Sequence, residues 1–353
     1  MIEPKNNRIG ASAVLLGVGL CGACLLGAFC LISIIMSGHS SVLPILPSTP
    51  TLDPACGDAD CLRTCLQRVP GFMVQPLIGH TEDLAKPPNG FELARYRLNE
   101  ETDQLEKIST PGVPEYLKPY QADTDLDLQI WDYFSAVIPH DPQLHVSYMV
   151  AYTDGRSNGS AARIKYLDGK WRLYVDILDF DNAYDATVIL IHEYGHMLTL
   201  NDTQILSTPD VYGLTVEESD LIKMRDVCPG FFDGYVCAAE DSYLGLFGRR
   251  FWTGRVYDSW IKVFLDQANQ TGDPDLAVEN FHDQYPDQFI SRYAATNPDE
   301  DIAESWQSFV SDPKPAGSTI AEQKVLFFYQ FPELVQQRRQ IIQNVCKYAA
   351  DHE

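Results

Sequence analysis

The sequence predicts an α+β protein tied to a membrane by one N-terminal helix. Three patterns carry that reading: a long uncharged apolar run near the start, two alternating arms around Asp168-Gly169, and apolar spacing that turns from strand-like to helical after Asp185. Strands come first and helices later, the order expected of a mixed or antiparallel sheet followed by a helical C-terminal half.

Residues 9–36, IGASAVLLGVGLCGACLLGAFCLISIIM, carry no charge and exceed the roughly 20 residues that span a bilayer core. Lys5 and Arg8 precede the run against a single Glu3, and the next charge is Asp53, so the positive-inside rule makes residues 1–8 a cytoplasmic tail. Everything beyond the span is then expected outside the cytoplasm, as a single-pass membrane protein. The alternative is a secreted protein whose signal is cleaved, but signal cores are usually about 7–15 residues long and no A-x-A site follows this one. Gly19, Ala23 and Gly27 recur every four residues and offer a close-packing face for self-association.

Residues 37–54 are rich in Ser, Pro and Thr and read as an extended linker. The next stretch, 55–122, reads as a small separate module with three cysteines and a hairpin, Phe91 to Ile108, around NEETD. Residues 123–353 are expected to form the main unit. A helix from Leu126 to Val137 precedes the β-rich LHVSYMVAYTD, and ARIKYLDGKWRLYVDIL folds back at Asp168-Gly169, a dipeptide that accepts positive φ. Helices follow at Tyr257–Asn269, Asp299–Ser311 and, unbroken, Ala321–Tyr348.

Cysteine usage agrees with an oxidising location. Outside the apolar run there are six, Cys56, Cys61, Cys65, Cys228, Cys237 and Cys346, enough for three disulfides. Cys228 and Cys237 bracket the turn-rich CPGFFDGYVC and form the expected local pair, while the other four permit three pairings. No C-x-x-C lies outside the apolar run, so a zinc ribbon is a poor reading of these cysteines.

The charge excludes other partners. The chain has 353 residues, 49 acidic against 26 basic, for a net charge of -23. Residues 1–38 contribute +1, which leaves -24 on the rest. Such a field repels polyanions, so no nucleic-acid partner is expected, and neutral or basic polypeptides are the favoured substrates.

The chemistry sits in ATVILIHEYGHMLTLN. His192 and His196 are four apart and project from one helix face, with Glu193 one step round, the H-E-x-x-H arrangement. Neutral imidazoles suit Zn²⁺, and a carboxylate beside zinc-bound water can take its proton. Val188 to Ile191 and Met197 to Leu200 make this helix apolar nearly all round, so its three polar residues are buried and need partners. Gly195, costly within a helix, suggests close approach of another backbone.

A third ligand is required, and the residues leave several candidates. Asp202 stands where a further His would complete H-x-x-G-x-x-H, but Thr199 replaces the Gly; His282 is isolated in ENFHDQY. The acidic cluster in YAATNPDEDIAESW is the best placed. Asn297 and Pro298 read as N-cap and N1 of a helix, with Glu300 at N3 and Glu304 one turn on along the same face. Simple helix capping explains the same residues without metal.

HEYGH and YAATNPDEDIAESW together resemble the two zinc-binding segments of gluzincin-type HExxH metallopeptidases, a family that includes the catalytic domain of anthrax lethal factor and bacterial zinc-binding metallopeptidases. The resemblance implies a zincin-like domain whose sheet packs on the HExxH helix, with one zinc per chain. It also implies metal ligands His192, His196 and Glu300, the general base Glu193, an orienting role for Glu304 with ligand exchange between the two glutamates as the alternative, and a phenol from Tyr293 for the oxyanion. The expected activity is hydrolysis of peptide bonds. A catalytically silent scaffold, or a zinc hydrolase of a non-peptide amide, is the alternative.

Overall fold

Asp168 and Gly169 both take positive φ, 54° and 73°, so the hairpin forms where its sequence asks for it. In a computed structural model, which describes residues 56–72, 74, 90–99, 101, 102, 104–155, 161–206, 216–269 and 271–353, this hairpin is one edge of a five-stranded sheet. The N-terminal tail, the apolar run with Gly19, Ala23 and Gly27, and the linker lie outside the described residues. No helix among the described residues is long and apolar enough to cross a membrane.

In chain order the elements are α1 (Ala59–Leu66), β1 (Phe91–Asn99), β2 (Gln104–Ser109), α2 (Lys118–Ala122), α3 (Thr124–Val137), β3 (Val146–Thr153), β4 (Ala162–Leu167), β5 (Lys170–Asp176) and α4 (Ala183–Leu200). Then come β6 (Ile205–Leu206), α5 (Glu218–Val227), β7 (Phe231–Phe232), β8 (Cys237–Ala238), α6 (Tyr243–Phe251), α7 (Arg255–Ala268), α8 (Pro274–Gln284), α9 (Pro298–Ser311), α10 (Ile320–Phe328) and α11 (Pro332–Asp351). The class is α+β, as expected. The strand order is β2-β1-β3-β5-β4, and the sheet is mixed because β3 and β5 run parallel while the other neighbours are antiparallel.

One face of the sheet is apolar and the other is charged. Tyr96, Met149, Leu173 and Ile164 are successive cross-strand partners, as are Ala94, Ala151, Val175 and Ala162, and they form the inner face. Helices α3 and α4 close over it. The Tyr96 hydroxyl donates to Asp127 Oδ2 at 2.6 Å, and the hydroxyls of Tyr133 and Thr187 bond α3 to α4.

Two expectations are corrected. Residues 55–122 are not a separate module: β1 pairs with β3 across the supposed boundary, α1 packs on α11, and everything from Pro50 onward is one compact unit. The physical reason is that a lone hairpin is marginal in water and needs a third strand. The single helix expected over Ala321–Tyr348 is instead two, α10 and α11, because Pro332 lacks an N–H and starts a new helix.

All six cysteines stand at disulfide distance. Cys228 pairs with Cys237 as expected, with Cα atoms 5.6 Å apart, and the open choice among the other four falls on Cys56–Cys61 and Cys65–Cys346. The last pair joins α1 to α11 across 281 residues, the longest loop the three pairs close. Replacing both Cys65 and Cys346 by Ser is expected to cost roughly 2–5 kcal/mol, read as a lower midpoint in denaturant at fixed metal concentration. An unchanged midpoint would remove that strut from the account.

Candidate metal centre

Two helices build the site. Asn182 starts α4 by accepting the Asp185 N–H at 2.8 Å, and by its middle turns the helix is enclosed by β4 and α9. His192, Glu193 and His196 are therefore buried, and the two imidazoles turn their Nε2 atoms to within 3.1 Å of each other. The start of α9 supplies the third donor. Asn297 Oδ1 accepts the Glu300 N–H at 2.8 Å, with Pro298 behind it. The cap leaves the side chain free: Asn297 holds the backbone while the Glu300 side chain turns to the imidazoles. Its Oε2 lies 3.0 Å from His192 Nε2 and 3.2 Å from His196 Nε2.

These three atoms form a nearly equilateral triangle with sides of 3.0–3.2 Å. A tetrahedral metal about 2.0–2.1 Å from each donor calls for edges of about 3.3 Å, so the group can hold a metal ion. Gly195 explains how α9 comes so near. A Cβ there would lie 2.9 Å from Trp306 Cδ1 and 3.3 Å from Ala303 Cα, both on α9, so only a residue without a side chain permits the crossing.

The two glutamates on α9 occupy different places. Glu304 Oε1 lies 3.0 Å from Nδ1 of His192, the nitrogen facing away from the triangle, while its Oε2 accepts Ser291 Oγ at 2.7 Å. Glu300 alone reaches both Nε2 atoms. Asp202 accepts the Tyr166 hydroxyl at 2.6 Å, and His282 pairs with Asp283 on α8, so neither alternative third ligand joins the site.

Burial and neighbouring charges oppose each other at these residues. Burial disfavours the imidazolium of His192, yet Glu300 and Glu304 outweigh it and lift the pKa to about 10. Burial would likewise raise Glu300, but the two imidazoles hold it well below the usual carboxylate range. Glu193 moves the other way: burial raises its pKa, opposed by both histidines and by a backbone bond from Ile164.

Tyr293 stands in a short 3₁₀ turn before α9, its ring 5.9 Å from that of His192. The ring is half-exposed, but its hydroxyl end is desolvated and faces the negative charge of Glu300, and both raise its pKa. With His192, Glu193 and Glu304 it lines a cavity of about 150 Å³ that Ala161, Ala162, Ile189 and Gln307 complete.

One support was not legible in the sequence. Asp301, next to Glu300, points to the other side of α9, where its Oδ2 accepts Trp252 Nε1 at 2.6 Å and pairs with Lys324 Nζ at 2.5 Å. Both charged side chains are fully buried, and burial lifts the pKa of Asp301 to about 6 against the pull of Lys324. The pair fixes the start of α9 from behind. Lys324 gave no signal because its partner lies across a helix–helix contact.

No known protein family, curated protein or solved structure matches the chain.

Proposed function

We propose that this chain is a zinc metallopeptidase with a zincin-like catalytic unit, anchored by residues 9–36 and facing away from the cytoplasm. The observation behind the reading is the convergence of His192 Nε2, His196 Nε2 and Glu300 Oε2 to 3.0–3.2 Å of one another beside a buried Glu193. Two imidazoles and one carboxylate are a donor set that suits zinc. Bound there, zinc supplies a Lewis acid and a water acidic enough to ionise near neutral pH.

The chain's own residues do the rest. Glu193, raised by burial, takes the proton of the attacking water and returns it to the leaving amine. Tyr293, whose pKa is raised, stays protonated and donates its phenolic hydrogen to the oxygen that becomes negative. Glu304 holds the His192 ring through Nδ1, and Ser291 holds Glu304.

A polypeptide is the favoured substrate because the cavity beside Glu193 is bordered by β4, the last strand of the sheet, as in strand-wise recognition of an extended chain. Purified full-length protein in detergent is expected to retain about one zinc per chain and to cleave an unfolded protein, and to lose cleavage on chelation and regain it with zinc. Metal retention without any hydrolysis would favour the scaffold reading.

A further inference from the structure

We infer that the four cysteines joining α1 to α11 form a thiol-exchange site: one low-molecular-weight thiol is taken up at Cys61, the internal bond passes to Cys56–Cys346, and Cys65 is released as the thiol. The site shares no residue with the metal centre, and the inference depends on neither zinc nor hydrolysis.

The helices bring the sulfurs together. Cys61 and Cys65 are four apart on α1 and so share a face, while Cys56 stands just before its N-cap, Asp58. Helix α1 packs on α11, which carries Cys346, and Arg338 of α11 fixes the approach by donating to the Gly57 carbonyl at 3.1 Å. All four Sγ atoms consequently lie within 4.8 Å of one another. The bonded pairs are Cys56–Cys61 and Cys65–Cys346, yet across the two bonds Cys56 Sγ lies 3.4 Å from Cys346 Sγ and Cys61 Sγ lies 3.9 Å from it. Cys346 is thus bonded to one sulfur and faced by two others. Among the described residues no third cysteine joins Cys228–Cys237 in this way.

Thiol–disulfide exchange is the attack of a thiolate on a disulfide sulfur, so it follows contact between sulfurs and access to them. Access differs within the group. Cys61 is partly exposed beside the exposed Asp60, whereas Cys65 and Cys346 are only 6% and 5% exposed. An external thiolate therefore bonds to Cys61 Sγ and expels Cys56 as the thiolate. The disulfide sulfur nearest to Cys56 is then Cys346 Sγ. Cys56 attacks it, forms the Cys56–Cys346 bond and expels Cys65, which takes the proton that the incoming thiol lost. One thiol enters and one thiol appears; two disulfides are opened and two are made, so no oxidant or reductant is consumed. Burial in the apolar core disfavours the Cys65 thiolate, which slows its departure and equally its return. Contact offsets the slow departure, because a neighbouring thiolate acts at an effective concentration that no free thiol reaches. Throughout, the α1 segment stays covalently tied to α11, since Cys346 exchanges one partner for another.

The test incubates full-length protein in detergent, without denaturant, with glutathione. The reaction is stopped at low pH, free thiols are alkylated in denaturant, and the cysteine peptides are mapped by mass spectrometry. The expected product has gained one glutathione on Cys61, contains a Cys56–Cys346 bond and is alkylated at Cys65, with Cys228–Cys237 unchanged. An adduct accompanied by alkylated Cys56 and an intact Cys65–Cys346 bond would overturn the inference, as would the absence of any adduct on the four cysteines. The Cys65→Ser variant provides a second reading without added thiol. Cys346 is expected to appear linked to Cys56 or Cys61 in that variant, and a wholly free Cys346 beside an intact Cys56–Cys61 bond would contradict the exchange.

Discussion

Glu193→Gln is expected to keep about one zinc per chain and to lower hydrolysis of an unfolded protein by about 10²- to 10⁴-fold, the range of a lost general base. The substitution suits its question because Gln preserves the volume of the side chain in a buried site. It removes only the ability to take a proton. Zinc content by metal analysis and turnover measured on the same preparation separate chemistry from folding. Cleavage at the parental rate with metal in place would remove Glu193 from the mechanism.

The second large effect distinguishes the glutamates. Glu300→Ala deletes the only carboxylate among the described residues that touches both Nε2 atoms, so zinc binding should collapse. Glu304→Ala leaves the triangle whole and frees Nδ1 of His192, for which a loss of about 10- to 100-fold in zinc affinity is expected. Activity of the Glu304 variant should therefore return when zinc is added in excess, and that of the Glu300 variant should not. The reverse pattern, with Glu300→Ala retaining full affinity, would exchange the two roles.

The local features were legible because they depend on neighbours along the chain. His192 and His196 share a face through the helical repeat alone, Asp168-Gly169 specifies its turn, and Asn297-Pro298 marks the start of α9. What escaped depends on distant packing. Glu300 and Glu304 lie on one face of α9, and only the crossing at Gly195 decides which of them meets Nε2 and which meets Nδ1. The membership of β1 in the main sheet required the pairing with β3, some 50 residues on, which alternation within β1 does not specify. The Lys324–Asp301 pair is likewise invisible until α10 packs on α9. Pro332 is the exception, a break that helical periodicity carried the reading past although the residue itself announces it.

Charge shows the same division. The net figure of -23 is a property of composition, whereas the cations of the sheet's outer face become a patch only when β1, β3, β4 and β5 are laid side by side.

The central claim is that the two histidines of α4 and the first glutamate of α9 hold one zinc. The most direct test is a crystal structure of the zinc-loaded protein with anomalous data at the zinc edge. The account predicts a single strong peak about 2.0–2.2 Å from His192 Nε2, His196 Nε2 and a Glu300 carboxylate oxygen, with Glu304 in contact only with the far nitrogen of His192. A peak coordinated by Glu304 or Asp202 in place of Glu300, or no peak between α4 and α9, would contradict it.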